Sequence, residues 1–379
     1  MAVRVLVPAV ALQFAFGLVF AWGAVTPHVR AEHWPPLLAG AVFSGTPLGY
    51  GFGMVIGGRL ADAQPPRRLC WLSLALLGAG FLVAFSFPTG ATFVIFYSIL
   101  GLGLGGGVGL AGSVAAASQV LPRRIGTVGG LMTGAYAAIA LAQVPVVSSL
   151  AASFGWIFAL RVVGTAGAAV AAAALLLMPS LPKPAGAHEE RATLRDLLRR
   201  PRTWTGVVLE MCSAPVGALA FVTLAPYALQ HGLGGAAGTV AVAVAAAGNT
   251  AGRVGAGAAA DVAGGDRIVV AILCCAALAA GALALLPASA PLLFAGAAAA
   301  GLSLGGAAGV MTRLGAAAAP DAPNSAFGLH FAGYAAGAFS GPLVGAVAGG
   351  GDAVWLVVGA PAVSGLAVVA LRVRMTRAG

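Results

Sequence analysis

Charge is what this sequence has least of. Charged residues occupy 8% of its 379 positions, against about 25% in a soluble globular protein, so a water-soluble fold is excluded. Lysine is nearly absent beside abundant Arg, Ala and Gly, a composition that points to a GC-rich bacterial genome. Cysteine is sparse too. Cys70, Cys212, Cys274 and Cys275 lie in or beside apolar stretches, with no metal-ligand spacing and no disulfide framework. His28, His33, His188, His231 and His330 are scattered. Paired carboxylates are missing, and no glycine-rich loop is followed by the Lys-Ser or Lys-Thr of a phosphate cradle. The chain is therefore expected to be neither an enzyme nor a nucleotide-driven pump, and to need no cofactor and no metal.

Long apolar runs are what the chain has in quantity, with 60% hydrophobic residues. A membrane helix takes about 20 residues, and the pattern predicts twelve, at 5–27, 36–57, 69–87, 91–118, 126–149, 156–179, 203–229, 235–258, 268–287, 290–312, 323–348 and 353–373. The first run follows Arg4 and resembles a signal peptide in outline, but it holds Gln13 and Trp22, lacks a clear cleavage site and is as long as a full span. The net charge of +10 would suggest nucleic acid in a soluble protein; here the basic residues stand between spans and no nucleic-acid module is visible. One side of the membrane collects Arg4, Arg59, Arg67, Arg68, Arg123, Arg124, Lys183, Arg191, Arg195, Arg199, Arg200, Arg202, Arg267, Arg313, Arg372, Arg374 and Arg377, the other only Arg30 and Arg161. The positive-inside rule then puts both termini in the cytoplasm, in a bacterial inner membrane. Trp34, Trp71, Trp156, Trp204 and Trp355 fall at span ends, as interfacial belts would.

A polar stretch divides the spans six and six. The expected organisation is an N-terminal six-helix bundle at 1–180, a cytoplasmic linker at 181–202 and a C-terminal six-helix bundle at 203–379. The halves repeat a pattern. Gly58, Asp62, Arg67 and Arg68 follow the second span; Gly257, Asp261 and Arg267 follow the eighth. Glycine permits close helix approach, and each aspartate can accept from a neighbouring helix N-terminus and pair with arginine. Parallel repeats of this kind mark twelve-helix carriers with their site at the interface of the halves.

The stretch from Gly248 to Asp261 sets Asn249 and Arg253 four residues apart inside an apolar segment, hence on one helix face. A charge inside a membrane costs about 2.5–3.5 kcal/mol on insertion scales and usually serves function. Arginine offers a planar fork that fits a carboxylate in two parallel hydrogen bonds. Arg253 is accordingly the candidate anion site, the alternative being a structural partner of Glu210 or of backbone carbonyls. Glu210, in the seventh span, is either a proton site or an interfacial partner of Arg202. His330 is a proton or substrate group or a neutral interhelical hydrogen-bonder, and Tyr334 shares its face. Gln13 and Tyr136 are candidates to contact substrate, although helix packing explains both equally well, and Phe16 and Phe20 are candidates for an apolar wall.

The segment Gly58 to Arg68 resembles the signature of the major facilitator superfamily, with Pro65 in place of its usual glycine; the second copy keeps Gly257, Asp261, Gly264 and Arg267 but has Ala259 where leucine is usual. Asn249 to Asp261, Gly101 to Gly105, Leu121 to Gly130 and Phe327 to Pro342 resemble more narrowly the oxalate/formate antiporter and monocarboxylate transporter families. That resemblance implies an all-α integral membrane protein of two six-helix bundles, and a substrate carboxylate held at the position of Arg253. Two departures count. Asn249 replaces the acid of animal monocarboxylate carriers, and Tyr334 stands where oxalate carriers place a second cation. The expectation is a secondary transporter of a small monocarboxylate of the lactate, pyruvate or formate type. It works as a monomer in the lipid bilayer, by alternating access with protons as coupling ion, with Asn249, Tyr334 and His330 orienting the substrate and the aspartate motifs as gate. The alternatives are an oxalate/formate-type exchanger, or a carrier of an unrelated substrate such as a drug exporter.

Overall fold

An apolar run in a bilayer finds no water for its peptide groups and closes its hydrogen bonds internally, as helix. The computed structural model follows that rule, and it describes residues 1–32, 34–182, 192–347 and 351–378. His33, Lys183, His188, Arg191 and so most of the expected linker lie outside the described residues.

The first span is α1 (Ala2–Phe16), a 3-10 turn (Gly17–Ala21) and α2 (Trp22–Ala31). Single helices α3 (Pro36–Ala63) and α4 (Pro66–Ser86) follow. The fourth span is α5 (Gly90–Thr92), a π-helical stretch (Phe93–Gly105) and α6 (Gly106–Val120). Then come α7 (Ile125–Ala138), α8 (Ala140–Phe154) and α9 (Trp156–Leu176). After the short α10 (Leu194–Arg199) stand α11 (Pro201–Ser213) and α12 (Pro215–Gln230), which together form the seventh span. The rest is α13 (Gly235–Ala263), α14 (Gly265–Leu285), α15 (Ala290–Ala318), α16 (Pro323–Val347) and α17 (Ala353–Ala378). Among the described residues eight segments are long and apolar enough to cross a membrane: Ala2–Val25, Pro66–Ser86, Gly90–Val120, Ile125–Phe154, Trp156–Leu176, Pro201–Gln230, Gly265–Leu285 and Ala290–Ala318. The other four expected spans coincide with α3, α13, α16 and α17. The chain is an all-helical, multi-pass membrane protein.

Three features depart from the expected spans. The fourth is not one regular α-helix, because hydrogen bonds of wider spacing run through its glycine-rich middle, where the Ser98 hydroxyl donates to the Val42 carbonyl and pairs with the Thr46 hydroxyl at 2.9 Å. The fifth and seventh break at Ile139 and at Ala214; in the seventh, Pro215 supplies no N–H to the preceding turn. Finally, α3 and α13 run past their expected ends, so Gly58, Asp62, Gly257 and Asp261 sit on the last helical turns and not in loops.

Contacts gather the chain into two compact units. One comprises 1–124, 135–199 and 315–332, the other 125–134, 200–314 and 333–379. The first unit is built on Leu12, Phe16, Leu77, Phe81, Leu102 and Leu160, all buried. Phe93 lies 5.1 Å from Trp156 and 5.9 Å from Trp22, ring centre to ring centre. Trp156 is thus a core residue at 2% exposure, as is Trp355 in the second unit at 1%, so neither joins a lipid-facing belt. The Trp156 Nε1 donates to the Glu32 carboxylate at 2.9 Å. Replacing Glu32 with alanine is expected to cost about 1 kcal/mol, read as a lower midpoint in thermal unfolding in detergent.

Candidate functional site

Two helix crossings of the same design, one in each unit, carry the polar chemistry. In the second unit α13 meets α7. Asp261 accepts through Oδ1 from the Gly126 amide at 2.8 Å, and through Oδ2 from the Thr127 amide and hydroxyl at 2.8 Å each. The first N–H groups of a helix have no partner within it and carry its positive end, so the carboxylate caps α7. One turn earlier on α13, a Cβ on Gly257 would overlap the backbone of Gly126 and Gly130. One turn earlier again stands Arg253.

Arg253 is 4% exposed and Asn249 3%. Its Nε donates to Asn249 Oδ1 at 3.1 Å, its Nη1 to the Thr133 carbonyl at 3.3 Å and its Nη2 to the Tyr334 hydroxyl at 3.2 Å. Four-residue spacing explains the first bond. The others bring in α7 and α16, so a side chain, a main-chain carbonyl and a phenol from three helices converge on one guanidinium. These three acceptors are neutral, and a charge-assisted bond to a carboxylate is roughly twice as strong as one between neutral groups.

In the first unit α3 meets the N-terminal part of α16. Asp62 accepts through Oδ1 from the Asn324 amide at 3.2 Å and side chain at 2.9 Å, and through Oδ2 from the Ser325 amide at 2.9 Å and hydroxyl at 2.5 Å. A Cβ on Gly58 would overlap the Asn324 backbone. Further along the seam Tyr50 stacks on Phe331 at 5.0 Å and meets Tyr136 edge-on at 5.4 Å; Tyr136 also meets Phe20 at 5.2 Å. The basic residues of the motif bond elsewhere: Arg59 with the Ala192 carbonyl at 2.5 Å, Arg67 with Ser180 and Arg68 with Gln64 at 3.4 Å each. Arg267 is exposed in the first turn of α14. Among the described residues, helix N-termini and not arginines take up the oxygens of both aspartates.

The remaining candidates are distributed. Glu210 on α11 is 1% exposed, and neither of its carboxyl oxygens has a hydrogen-bond partner among the described residues. Arg202 is exposed and does not hold it. Gln13 donates to Ser113 at 3.0 Å in the first unit, and His330, 1% exposed on α16, belongs to the same unit. The structure thus brings Arg253, Asn249 and Tyr334 into direct contact, whereas Gln13, Tyr136 and His330 lie in the other unit. The sequence reading missed Thr133, which acts through its carbonyl and so leaves no trace in residue type. It missed Asn324, Ser325 and Thr127 as caps, although Pro323 followed by Asn-Ser is a helix-start pattern.

Swapping Gly257 for valine sets a branched side chain against α7. Overpacking of this kind costs about 1–3 kcal/mol and is expected to lower the unfolding midpoint, whereas valine at exposed Gly255, with open space around it, is expected to be tolerated.

Apolar helices of membrane length with buried polar groups where they cross define a polytopic membrane protein. A family model described as Major Facilitator Superfamily matches residues 7–342. No curated protein matches the sequence. Among solved structures, the transporter FucP in its outward conformation is similar with a TM-score of 0.74 and 14% identity, covering 96% of this chain and 97% of that one. The proton:xylose symporter XylE gives 0.75 and 15%, covering 96% and 94%. A variant of the E. coli fucose:proton symporter FucP gives 0.71 and 13%, covering 97% and 98%. The chain belongs to the major facilitator superfamily and is a transporter.

Proposed function

We propose that the chain is a proton-coupled secondary transporter of a small monocarboxylate of the lactate, pyruvate or formate type. The observation that carries this reading is Arg253, a buried guanidinium whose donors rest on Asn249, Thr133 and Tyr334. Binding a carboxylate neutralises the fork, so the loaded carrier changes state without an uncompensated charge in the membrane. Tyr334 brings a hydroxyl and no second cation, which favours one substrate charge over the two of oxalate. Asn249 holds the fork's orientation, and His330, Gln13 and Tyr136 stay candidates for contacts in another state of the cycle.

Glu210 supports proton coupling. Its carboxyl oxygens have no hydrogen-bond partner among the described residues, so burying it ionised is costly, and two of the similar structures are themselves proton symporters. The moving parts are the halves 1–180 and 203–379, with the seams Asp62–α16 and Asp261–α7 as gate. The distribution of arginine puts that gate and both termini on the cytoplasmic side of a bacterial inner membrane, and the working unit is a monomer.

The test is uptake of radiolabelled lactate, pyruvate, formate and oxalate into proteoliposomes, with and without an inward proton gradient. Gradient-stimulated uptake of a monocarboxylate supports the reading. Oxalate exchange indifferent to the gradient moves the assignment to an anion exchanger, and no uptake of any acid removes the carboxylate altogether.

A further inference from the structure

Arg253 and Asp261 sit two turns apart on α13, and both hold α7. Asp261 grips the first turn at the Gly126 and Thr127 amides, while Arg253 grips the Thr133 carbonyl further along. The anion site and the helix cap are thus two points on one seam, with Gly257 against α7 between them. From this geometry we propose that Arg253 is a ligand-operated latch: a carboxylate that recruits its guanidinium releases α7 from α13 and loosens the Asp261 cap. The proposal rests on the reading of Arg253 as the anion site and adds how occupancy of that site reaches the gate.

The guanidinium makes the link, because its donors form one rigid plane. Turning an edge of that plane towards an arriving carboxylate moves every other N–H with it. The bonds to the Thr133 carbonyl at 3.3 Å and to the Tyr334 hydroxyl at 3.2 Å both cross to another helix. The carboxylate cap and the close packing of Gly257 on Gly126 and of Gly130 on the Arg253 backbone stay at the seam.

The other seam supplies an internal control. Asp62, Gly58, Met54 and Tyr50 follow one another at four-residue steps on α3, as Asp261, Gly257, Arg253 and Asn249 do on α13. Both seams put an acid on a helix N-terminus and a glycine one turn away. At the next turn they differ. Met54, fully buried, stands against Gly328 and has no donor to give or withdraw, and Tyr50 in place of Asn249 stacks on Phe331. Of these two seams, the α13–α7 one has a cationic donor that an anion can pull. The two seams consequently part in order, α7 first and α16 after it.

The test is amide hydrogen exchange of the full chain in detergent or nanodiscs, without substrate, comparing the first turns of α7 and α16. Arg253→Met gives the second seam the residue of the first. Exchange in the first turn of α7 is expected to rise about tenfold, the loss of one bond to a charged group, while the first turn of α16 is unchanged. Adding lactate to the unmodified protein is expected to reproduce that pattern. Should the methionine variant not fold, Arg253→Lys, whose ammonium has no planar fork, takes its place in the same comparison. No acceleration at α7, or equal acceleration at both turns, overturns the latch. Acceleration in the variant with no response to lactate, pyruvate or formate leaves Arg253 a fixed tie to α7 and overturns its operation by a monocarboxylate, and with it the monocarboxylate reading.

Discussion

Lysine in place of Arg253 is expected to reduce carboxylate uptake about a hundredfold, within the 2–5 kcal/mol that follows when one partner of a buried charged contact is lost. Charge is conserved in this variant, so the loss isolates geometry. An ammonium is a compact point charge, whereas the guanidinium offers parallel donors to both carboxylate oxygens. It also loses the simultaneous reach to Asn249, Thr133 and Tyr334 that presently fixes the arginine. The measurement is the initial rate of radiolabelled lactate or pyruvate uptake per amount of reconstituted protein, with circular dichroism as the check on folding. Uptake preserved within a few-fold would mean that the substrate does not bind through the fork, and a carrier of uncharged molecules would become the better reading. The alanine variant sharpens the distinction, since a drug-exporter type of transport should survive it.

Glutamine in place of Glu210 is expected to separate accumulation from exchange. The two side chains have nearly the same shape, but the amide cannot take up and release a proton. Glu210 lies 1% exposed on α11 with neither oxygen hydrogen-bonded among the described residues, so the substitution breaks no hydrogen bond of the carboxyl group there. Gradient-driven accumulation should fall to the level reached without a gradient, a loss of about tenfold for each pH unit imposed when one proton moves with each substrate, a unit being worth about 1.36 kcal/mol. Counterflow of labelled against unlabelled substrate should persist, because it needs no net proton movement. Accumulation that stays gradient-dependent in this variant would remove Glu210 from the proton path and turn attention to His330.

The sequence made the membrane class legible because twelve apolar runs and their charge asymmetry are properties of residue type alone. It also made legible that Asn249 and Arg253 share a face, for helical period follows from spacing, and the Arg253 Nε bond to Asn249 is that face realised. For the two aspartates, acceptance from a helix N-terminus was readable as chemistry, but not which helix. Asn324 and Ser325 for one, and Gly126 and Thr127 for the other, are distant in sequence and are chosen by packing. Thr133 was out of reach for a different reason: every residue carries a carbonyl, so only coordinates tell which one a guanidinium finds. The tryptophans misled because a ring at a span end can face either lipid or core, and Trp156 and Trp355 chose the core.

The π-helical stretch from Phe93 to Gly105 has a bearing on how this chain tolerates lost residues. Deleting one residue from an α-helix rotates everything beyond it by about 100° and tears apart whatever faces were packed. A stretch with wider hydrogen-bond spacing holds surplus chain, and removing a residue there lets the ring contract to ordinary α-helix. The buried face of α6, from Gly106 to Ala117, would then keep its orientation against α3 and α4. Length variation in this protein should therefore gather in the fourth span, where a missing residue is absorbed within two turns, and be rare in α13, where the same loss would turn Arg253 and Asp261 to different sides of the helix.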